Sequence, residues 1–520
     1  MSPEACNIEH MFDIDLPEPE DLSGVDERAL VAAVAGWSRI EAAAAARRLA
    51  VIAELVDRRT SGEGARSRWA CDGWDATAAE VAAAAGSTRG RASNQMYVAT
   101  ALRHRLPRIA RLFADGTLSA AVVGAIVWHT TLIEDLGVLA RVDAALAGEA
   151  RYYGQLSAAK TIAAIHAIIE AHDRAAVRRS QAAARSRDLV VDTNNTESGT
   201  TPLWGRLYAH DAAVLDRRLA AMAHSVCDDD PRTVGQRRAD ALAALAAGAD
   251  RLTCTCDNPL CPTRTGPQDV GAGAALVYVL ADADSIESPV DPLNNGEFRQ
   301  CRPGGLDRPA DEPAANAKPA QIVGGPIIPA SVLAELVHGG ATVRPLQIPG
   351  PESQPEPHYR PSAKLADFIR CRDLTCRFPG CDQPAQRCDI DHAIAWADGG
   401  PTHPCNLRLL CRKHHLLKTF WGWHDRQLPN GTIVWTSPTG HTYTTHPGSR
   451  VLFPALCQPT GGPRTAVPSP QRATDCRTLM MPIRRRTRAQ DRQAAIKAER
   501  ALNRADTDEV PAERNRPPPS

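Results

Sequence analysis

The stretch from Cys376 to Lys418 constrains this chain more tightly than any other. It opens Cys-Arg-Phe-Pro-Gly-Cys, passes Asp391-His392, Gly399-Gly400 and Asn406-Leu407, and closes on Cys411-Arg-Lys-His414-His415-Leu-Leu-Lys418. Four residues separate Cys376 from Cys381 and two separate Cys411 from His414, spacings with which one Zn²⁺ can be gripped tetrahedrally. Four protein ligands close such a site to water, so this zinc is expected to be structural; the bland alternative is four unrelated buried side chains. Pro379-Gly380 supplies the tight turn that the first pair requires, and the i, i+3 relation of Cys411 and His414 puts both on one side of a helix start. A zinc of this kind is typically worth about 10–16 kcal/mol of apparent binding energy, enough for a small module to depend on it for folding.

Between the ligand pairs, Asp391-His392 ends an alternating run and Gly399-Gly400 allows the return to Asn406-Leu407, giving strand, loop, strand, then a helix from Arg412 to Phe420. Consecutive helical residues point roughly 100° apart, so His414 can face the zinc while His415 faces the hairpin. Neighbours on a regular strand point to opposite faces. The strand must therefore end or bulge near Asp391 and His392 if both serve one site.

On these residues, the span from Arg370 to Thr419 resembles the HNH endonucleases, the ββα-metal fold. Asp391-His392, Asn406 and His415 fall in that family's order, and the enclosing cysteines look like its zinc-bearing subgroup. The resemblance implies that His392 is the general base, that Asp391 and His415 hold one Mg²⁺ or Mn²⁺, and that Asn406 braces the hairpin and orients His392. It also implies DNA as substrate, with 5′-phosphate and 3′-hydroxyl products. The chemistry agrees: a neutral imidazole with a pKa of roughly 6.5 can activate water, and a divalent ion can stabilise the phosphoryl and leaving oxygens. Some relatives carry a further His one turn beyond the position of His415, where this chain has Thr419. Lys418 is a candidate phosphate contact or a solvated lysine. His403 and His424 read as packing or surface residues, and Cys371, Cys388 and Cys405 as buried thiols. The rival reading is a non-cleaving nucleic-acid-binding protein that keeps the zinc fold as a docking module.

At 520 residues the chain should hold two or three domains. The expected architecture is multidomain. A mainly α N-terminal domain with a mixed α/β extension covers 28–348, with a disordered insert at 284–321, and a linker follows at 349–361. The zinc-stabilised module with a C-terminal hairpin occupies 362–455, and an acidic N-terminus (1–27) and a basic tail (458–520) are expected to be disordered. Apolar periodicity predicts helices over Arg28–Arg58, up to Gly86 behind a Thr77/Glu80 capping box, from Thr88 to Leu106, from Pro107, and over Leu118–Ile133 and Leu156–Glu170. Strands are expected near Leu189–Val191, Leu203–Ala209 and Ala275–Leu280, helices at Asp211–Val226 and Thr233–Ala247, and a last element over Pro329–Val337.

The formal net charge is zero, so any nucleic-acid footprint must be local. The cysteines number fifteen, an odd count, and six of them fall in close-spaced groups, which favours zinc over disulfides in a reducing compartment. The longest apolar stretch, Leu118 to Trp128, is short of the ~20 residues of a membrane span, and the start lacks the features of a secretory signal. The expectation is a soluble, cytoplasmic protein.

The layout over 28–450 is similar to multi-copy actinobacterial proteins associated with repeat elements, whose front domain has no known function; here it is a candidate for target binding, homo-oligomerisation or regulation. Thr77 to Leu102 has the outline of a helix-turn-helix, with Arg89 and Arg91 where base edges would be met, though two short Ala-rich helices suit any bundle. Cys254-Thr-Cys256 and Cys261 offer three thiols, with no fourth ligand identifiable along the chain.

Overall fold

A computed structural model describes residues 16–153, 156–177, 188–192, 200–256, 258–263, 277–290, 318–461 and 481–514. The chain divides into two compact units. The first takes Met1–Ser180, Leu416–Trp423 and Ala473–Ser520, the second Gln181–His415 and His424–Arg472. The span 28–348, expected as one domain, is therefore divided.

In the first unit, α1 (Glu27–Thr60) starts at Asp26, whose carboxylate accepts from the Ala29 amide. It packs on α2 (Gly73–Ala84), α3 (Arg89–His104) and α4 (Pro107–Ala114), burying Leu49, Ile52, Ala53 and Val56. By length and composition alone α1 could cross a membrane, a property shared by core helices of water-soluble bundles. Next come α5 (Ala120–His129), α6 (Leu136–Gly148), the short α7 (Ala150–Tyr153) and α8 (Ala158–His172). The periodicity argument passed over α6, which contributes Leu139, Val142 and Leu146 to the core.

Two expectations are corrected in this unit. Thr77 and Glu80 do not cap α2. The helix begins at Gly73, Asp72 accepts from the Asp75 amide, the Thr77 hydroxyl donates back to the Gly73 carbonyl, and Glu80 pairs with Arg59 at 2.6 Å. The basic tail, expected to be disordered, contains a long helix from Arg488 to Arg514. Its start is a reciprocal cap, Thr487 with Gln490. One face is fastened by Arg500 to Asp173 (2.8 Å) and Glu134 (3.2 Å) and by Asn503 to the Ala175 and Val177 carbonyls. Charge-rich composition suggested solvation; acidic partners far away in sequence, half-buried Asp173 and exposed Glu134, help supply the docking.

In the second unit, β1 (Asp188–Val191) pairs antiparallel with β2 (Leu203–Arg206), and helices α9 (Ala209–Ala223) and α10 (Val234–Ala246) pack on each other. A small sheet follows, β3 (Val279–Leu280), β4 (Ala320–Ile322) and β5 (Ile327–Ile328), with a helical turn at Ala283–Ile286 and a helix at Ala330–His338. The expected insert thus gives up both its ends to regular structure, and 291–317 lies outside the described residues, as does 1–15 of the N-terminus. Residues 16–26 include a 3₁₀ turn, Leu22–Gly24.

The functional region is built on a helix from Ala363 to Asp373. Its Leu365, Phe368 and Ile369 pack with Leu407 and Leu409 and with Phe453 and Leu456. Strand β6 (Cys388–His392) pairs antiparallel with β7 (Leu407–Cys411) in the register Cys388↔Cys411 to His392↔Leu407, and a helix, Arg412–Phe420, follows β7 directly. A three-stranded meander, β8 (His424–Gln427), β9 (Ile433–Thr436) and β10 (Thr442–Thr445), completes it. The Asn430-Gly431 pair, a hairpin-turn dipeptide in the sequence, lies between β8 and β9, with Gly431 at φ 76°, in the left-handed region that suits glycine.

Candidate metal centre and hairpin site

Cys376, Cys381, Cys411 and His414 converge so that one ligand atom of each lies within 4.8 Å of the others. The Pro379-Gly380 turn makes this geometry: the Cys376 amide donates to the Gln383 carbonyl (2.8 Å), the Cys381 amide to Phe378 (3.1 Å), and Gly380 adopts φ 69°. The second pair arrives at the end of β7 and one turn into the helix, where His414 Nδ1 lies 3.3 Å from Cys411 Sγ and 3.4 Å from Cys376 Sγ. Phe378 stacks on the His414 ring at 4.0 Å.

The fully buried Asp373 carboxylate ties the ligand loop to β7. It accepts from Arg372 (2.8 Å), Arg377 (2.9 Å) and the Leu409 amide (2.9 Å). Burial resists its ionisation, but the guanidiniums of Arg372 and Arg377 hold its pKa below the usual carboxylate value. Among the thiols, burial pushes Cys376 well up, while hydrogen bonds from Cys376 and Cys381, and then the His414 ring, pull Cys411 far down. A soft donor set of three sulfurs and an imidazole can hold a metal such as zinc.

His415, the next residue, serves another group. Its Nε2 lies 3.4 Å from Asp391 Oδ1 and its Nδ1 3.3 Å from Asp389 Oδ2. Asp391 sits opposite Arg408 in the strand register, and Arg408 Nη2 donates to it at 3.0 Å while also lying 2.7 Å from Asp425. The Arg408 side chain is fully buried, so this guanidinium is a fixed charge between two carboxylates. The two carboxylates thus flank opposite edges of the His415 ring, Asp391 at Nε2 and Asp389 at Nδ1.

Strand β6 ends at His392, without a bulge. The buried imidazole stacks on Tyr359, with ring centroids 5.3 Å apart, and its Nε2 lies 3.0 Å from the Thr402 hydroxyl. The same hydroxyl lies 3.4 Å from the Tyr359 carbonyl. Asn406 braces the connection between the strands. Its Oδ1 accepts from the Ile394 amide (2.8 Å), and its Nδ2 donates to the carbonyls of Ile394 (3.0 Å) and Pro401 (2.9 Å). The span 349–361, read as a linker, helps build this region: the Glu356 amide donates to the Thr402 carbonyl, and the Glu356 carboxylate receives the Ser362 amide and hydroxyl.

Sequence reasoning missed Tyr359, Thr402, Arg408 and Asp425, whose spacing carries no motif and whose roles exist only through pairing. His403 is a packing residue, with Nε2 3.2 Å from the Ser353 carbonyl and Nδ1 3.0 Å from Cys405 Sγ. His424 is exposed and Lys418 half-buried on the helix. In the N-terminal bundle, Arg91 is exposed, whereas Arg89 pairs with the buried Asp75 at 3.0 Å, which ties down one of the two side chains expected to reach bases. The fourth thiol beside Cys254, Cys256 and Cys261 is Cys227, a residue 27 positions upstream of Cys254.

Residues 37–287 match the domain of unknown function DUF222. The chain is 52% identical over 531 residues to the uncharacterized protein Rv2100 of Mycobacterium tuberculosis, covering 100% of this chain and 94% of that protein. It is also 52% identical over 511 residues to the uncharacterized protein Rv3776 of the same species, covering 98% and 95%. An uncharacterized protein in the est 3′ region of M. tuberculosis is 49% identical over 358 residues, which is 69% of this chain and 100% of that one. The chain belongs to this DUF222-bearing family. No solved structure matches it.

Proposed function

We propose that this protein is a metal-dependent DNA endonuclease whose residues 362–455 form a zinc-bearing HNH (ββα-metal) module. The observation that carries the reading is the division of labour on one helix. His414 joins three cysteines, and His415 meets Asp391 across the hairpin at 3.4 Å. A module kept only for docking needs the first group and not the second.

In this reading the Cys376, Cys381, Cys411 and His414 zinc is structural, and Asp391 and His415 hold one Mg²⁺ or Mn²⁺. When bound, that cation offsets charge on the phosphoryl and leaving oxygens. His392 takes the proton of the attacking water, with Thr402 beside Nε2 and Tyr359 against the ring holding its plane. Asn406 holds the strand connection that follows His392. Lys418 and the exposed Arg91 are candidate phosphate contacts. The DUF222 region would supply target binding, self-association or regulation, and a DNA substrate places the protein in the cytoplasm.

The test is cleavage of supercoiled plasmid by purified full-length protein with Mg²⁺ or Mn²⁺, beside a chelator control and His392→Ala. Metal-dependent nicking that falls by roughly 10²–10⁴ in the variant supports the reading. Folded, zinc-loaded protein that cuts no DNA form with any of these metals leaves the non-cleaving docking module as the function.

A further inference from the structure

We infer a second structural zinc site, inside the DUF222 region and separate from the hairpin module, formed by Cys227, Cys254, Cys256 and Cys261. The four sulfurs come from two places. Cys227 follows the C-terminal end of α9, and the other three lie on the loop that leaves α10. All four Sγ atoms fall within 4.8 Å of one another, although 27 residues separate Cys227 from Cys254.

The distances fit an ion better than the alternatives. Cys227 Sγ and Cys254 Sγ are 3.4 Å apart, far beyond the roughly 2.05 Å of a disulfide. One zinc about 2.3 Å from each of four sulfurs holds them about 3.8 Å apart, well inside the observed envelope. Four thiols, three buried and Cys227 half-buried, could also pack as small apolar groups, but the local core argues against that. Among the described residues its buried members are Met222, Val226, Ala241 and Leu252 with Cys254, Cys256 and Cys261, and half-buried Leu219, Cys227, Ala244 and Leu245 pack against them. So small a core, without an aromatic residue, needs a staple.

The surroundings hold the loop in a metal-ready shape. The Cys254 amide donates to the Thr263 carbonyl (3.0 Å), the Cys261 amide to Asn258 (3.1 Å), and the Cys256 amide points at Cys254 Sγ (3.5 Å). On the flank, Asp230 and Arg232 form a buried pair at 2.8 Å. Asp230 accepts from the Thr255 amide at 3.1 Å, and Arg232 donates to the Thr253 carbonyl at 2.8 Å. This clamp fixes the backbone on both sides of Cys254 independently of the sulfurs.

Binding one Zn²⁺ by four thiolates releases the four thiol protons and leaves a formal charge of −2, which the Cys256 amide partly offsets. All four coordination positions are protein sulfurs, so no water binds the ion and the site is structural. It gives the DUF222 region a metal staple of its own, whatever the hairpin module does.

The deciding experiment is the zinc and iron content of the full chain purified under reducing conditions, compared with Cys256→Ser and Cys411→Ser. The expected result is loss of one zinc equivalent in Cys256→Ser and of a different equivalent in Cys411→Ser. Should Cys256→Ser fail to fold, titrating the wild-type protein with a mercurial beside a chromogenic zinc chelator replaces it, and two equivalents should be released. Unchanged zinc in folded Cys256→Ser, a single equivalent released from wild type, iron in place of zinc, or a disulfide among these four cysteines in the intact mass would each overturn the site. Loss of zinc from Cys256→Ser with an inactive plasmid assay leaves it standing and rejects only the nuclease.

Discussion

His414 and His415 are consecutive on one helix, yet Nδ1 of the first lies 3.3 Å from Cys411 Sγ and Nε2 of the second lies 3.4 Å from Asp391 Oδ1. The roughly 100° step of the helix turns one ring toward the cysteines and the other toward the strand. The two positions should separate folding from chemistry. His414→Ala is expected to lower zinc content and the melting temperature together. His415→Ala should keep both and lose divalent-cation-dependent cleavage. Zinc loss of equal size in the two variants would sink the division.

Asn406 carries three hydrogen bonds across the connection between β6 and β7. Its side chain is 2% exposed, so water cannot readily replace it. Asn406→Ala strands the Ile394 amide and two carbonyls, at about 1–3 kcal/mol for each group left unsatisfied. Asn406→Asp keeps the acceptor and should lie between wild type and alanine. Chemical denaturation of the three proteins gives the order; an alanine variant as stable as wild type would refute the bracing role.

What could be read from the sequence was the part written as local pattern. Ligand spacing at Cys376, Cys381, Cys411 and His414, the Asn430-Gly431 turn and the helix after Cys411 are all short-range signals. His415 facing the hairpin followed from the step of the helix, whereas Asp391 as its partner came only from the resemblance to the HNH endonucleases. What escaped depended on partners distant in the chain. Cys227 has no motif around it and becomes a candidate ligand only because α9 and α10 pack side by side. Tyr359 lies in a Pro-rich stretch that reads as linker, and its ring covers His392. The Arg488–Arg514 helix looks like a solvated tail until Asp173 and Glu134 are placed beside Arg500. Its Thr487/Gln490 cap, however, is a local signal that could have been found.

Arg408 is the least replaceable charge near the hairpin. It is fully buried between Asp391 and Asp425, and β9 supplies the Trp435 ring 5.8 Å from its guanidinium. Arg408→Met leaves two carboxylates without their cation and should cost about 3–5 kcal/mol, the range for breaking a buried pair. The double variant with Asp425→Asn should recover part of that loss, because one stranded charge has gone. Urea midpoints of the single and double variants measure the coupling. If the second substitution makes matters worse by its full separate cost, the two residues act independently and the pairing carries no energy.

Asp72 fastens the C-terminal helix to the N-terminal bundle. Its carboxylate caps α2 through the Asp75 amide and receives Arg484 at 2.6 Å and Arg488 at 3.2 Å. Burial opposes its ionisation, but hydrogen bonds from Arg488 and the Asp75 amide, with the charges of Arg488 and Arg484, hold its pKa below the ordinary carboxylate value. A carboxylate lowered in the folded state stabilises it above the unfolded pKa of about 3.9 and ceases to do so as pH falls through the lower folded value. Asn is as good a helix cap as Asp, so Asp72→Asn removes the charge and keeps the cap. The variant should lose about 1.5–3 kcal/mol at neutral pH, the range for hydrogen bonds to charged groups, and expose the chain around Arg484 and Arg488 to trypsin. The difference in melting temperature from wild type should hold above pH 4 or so and close as the solution is acidified below it. A difference that stays constant down to strongly acid pH would mean that the docking does not depend on the Asp72 charge.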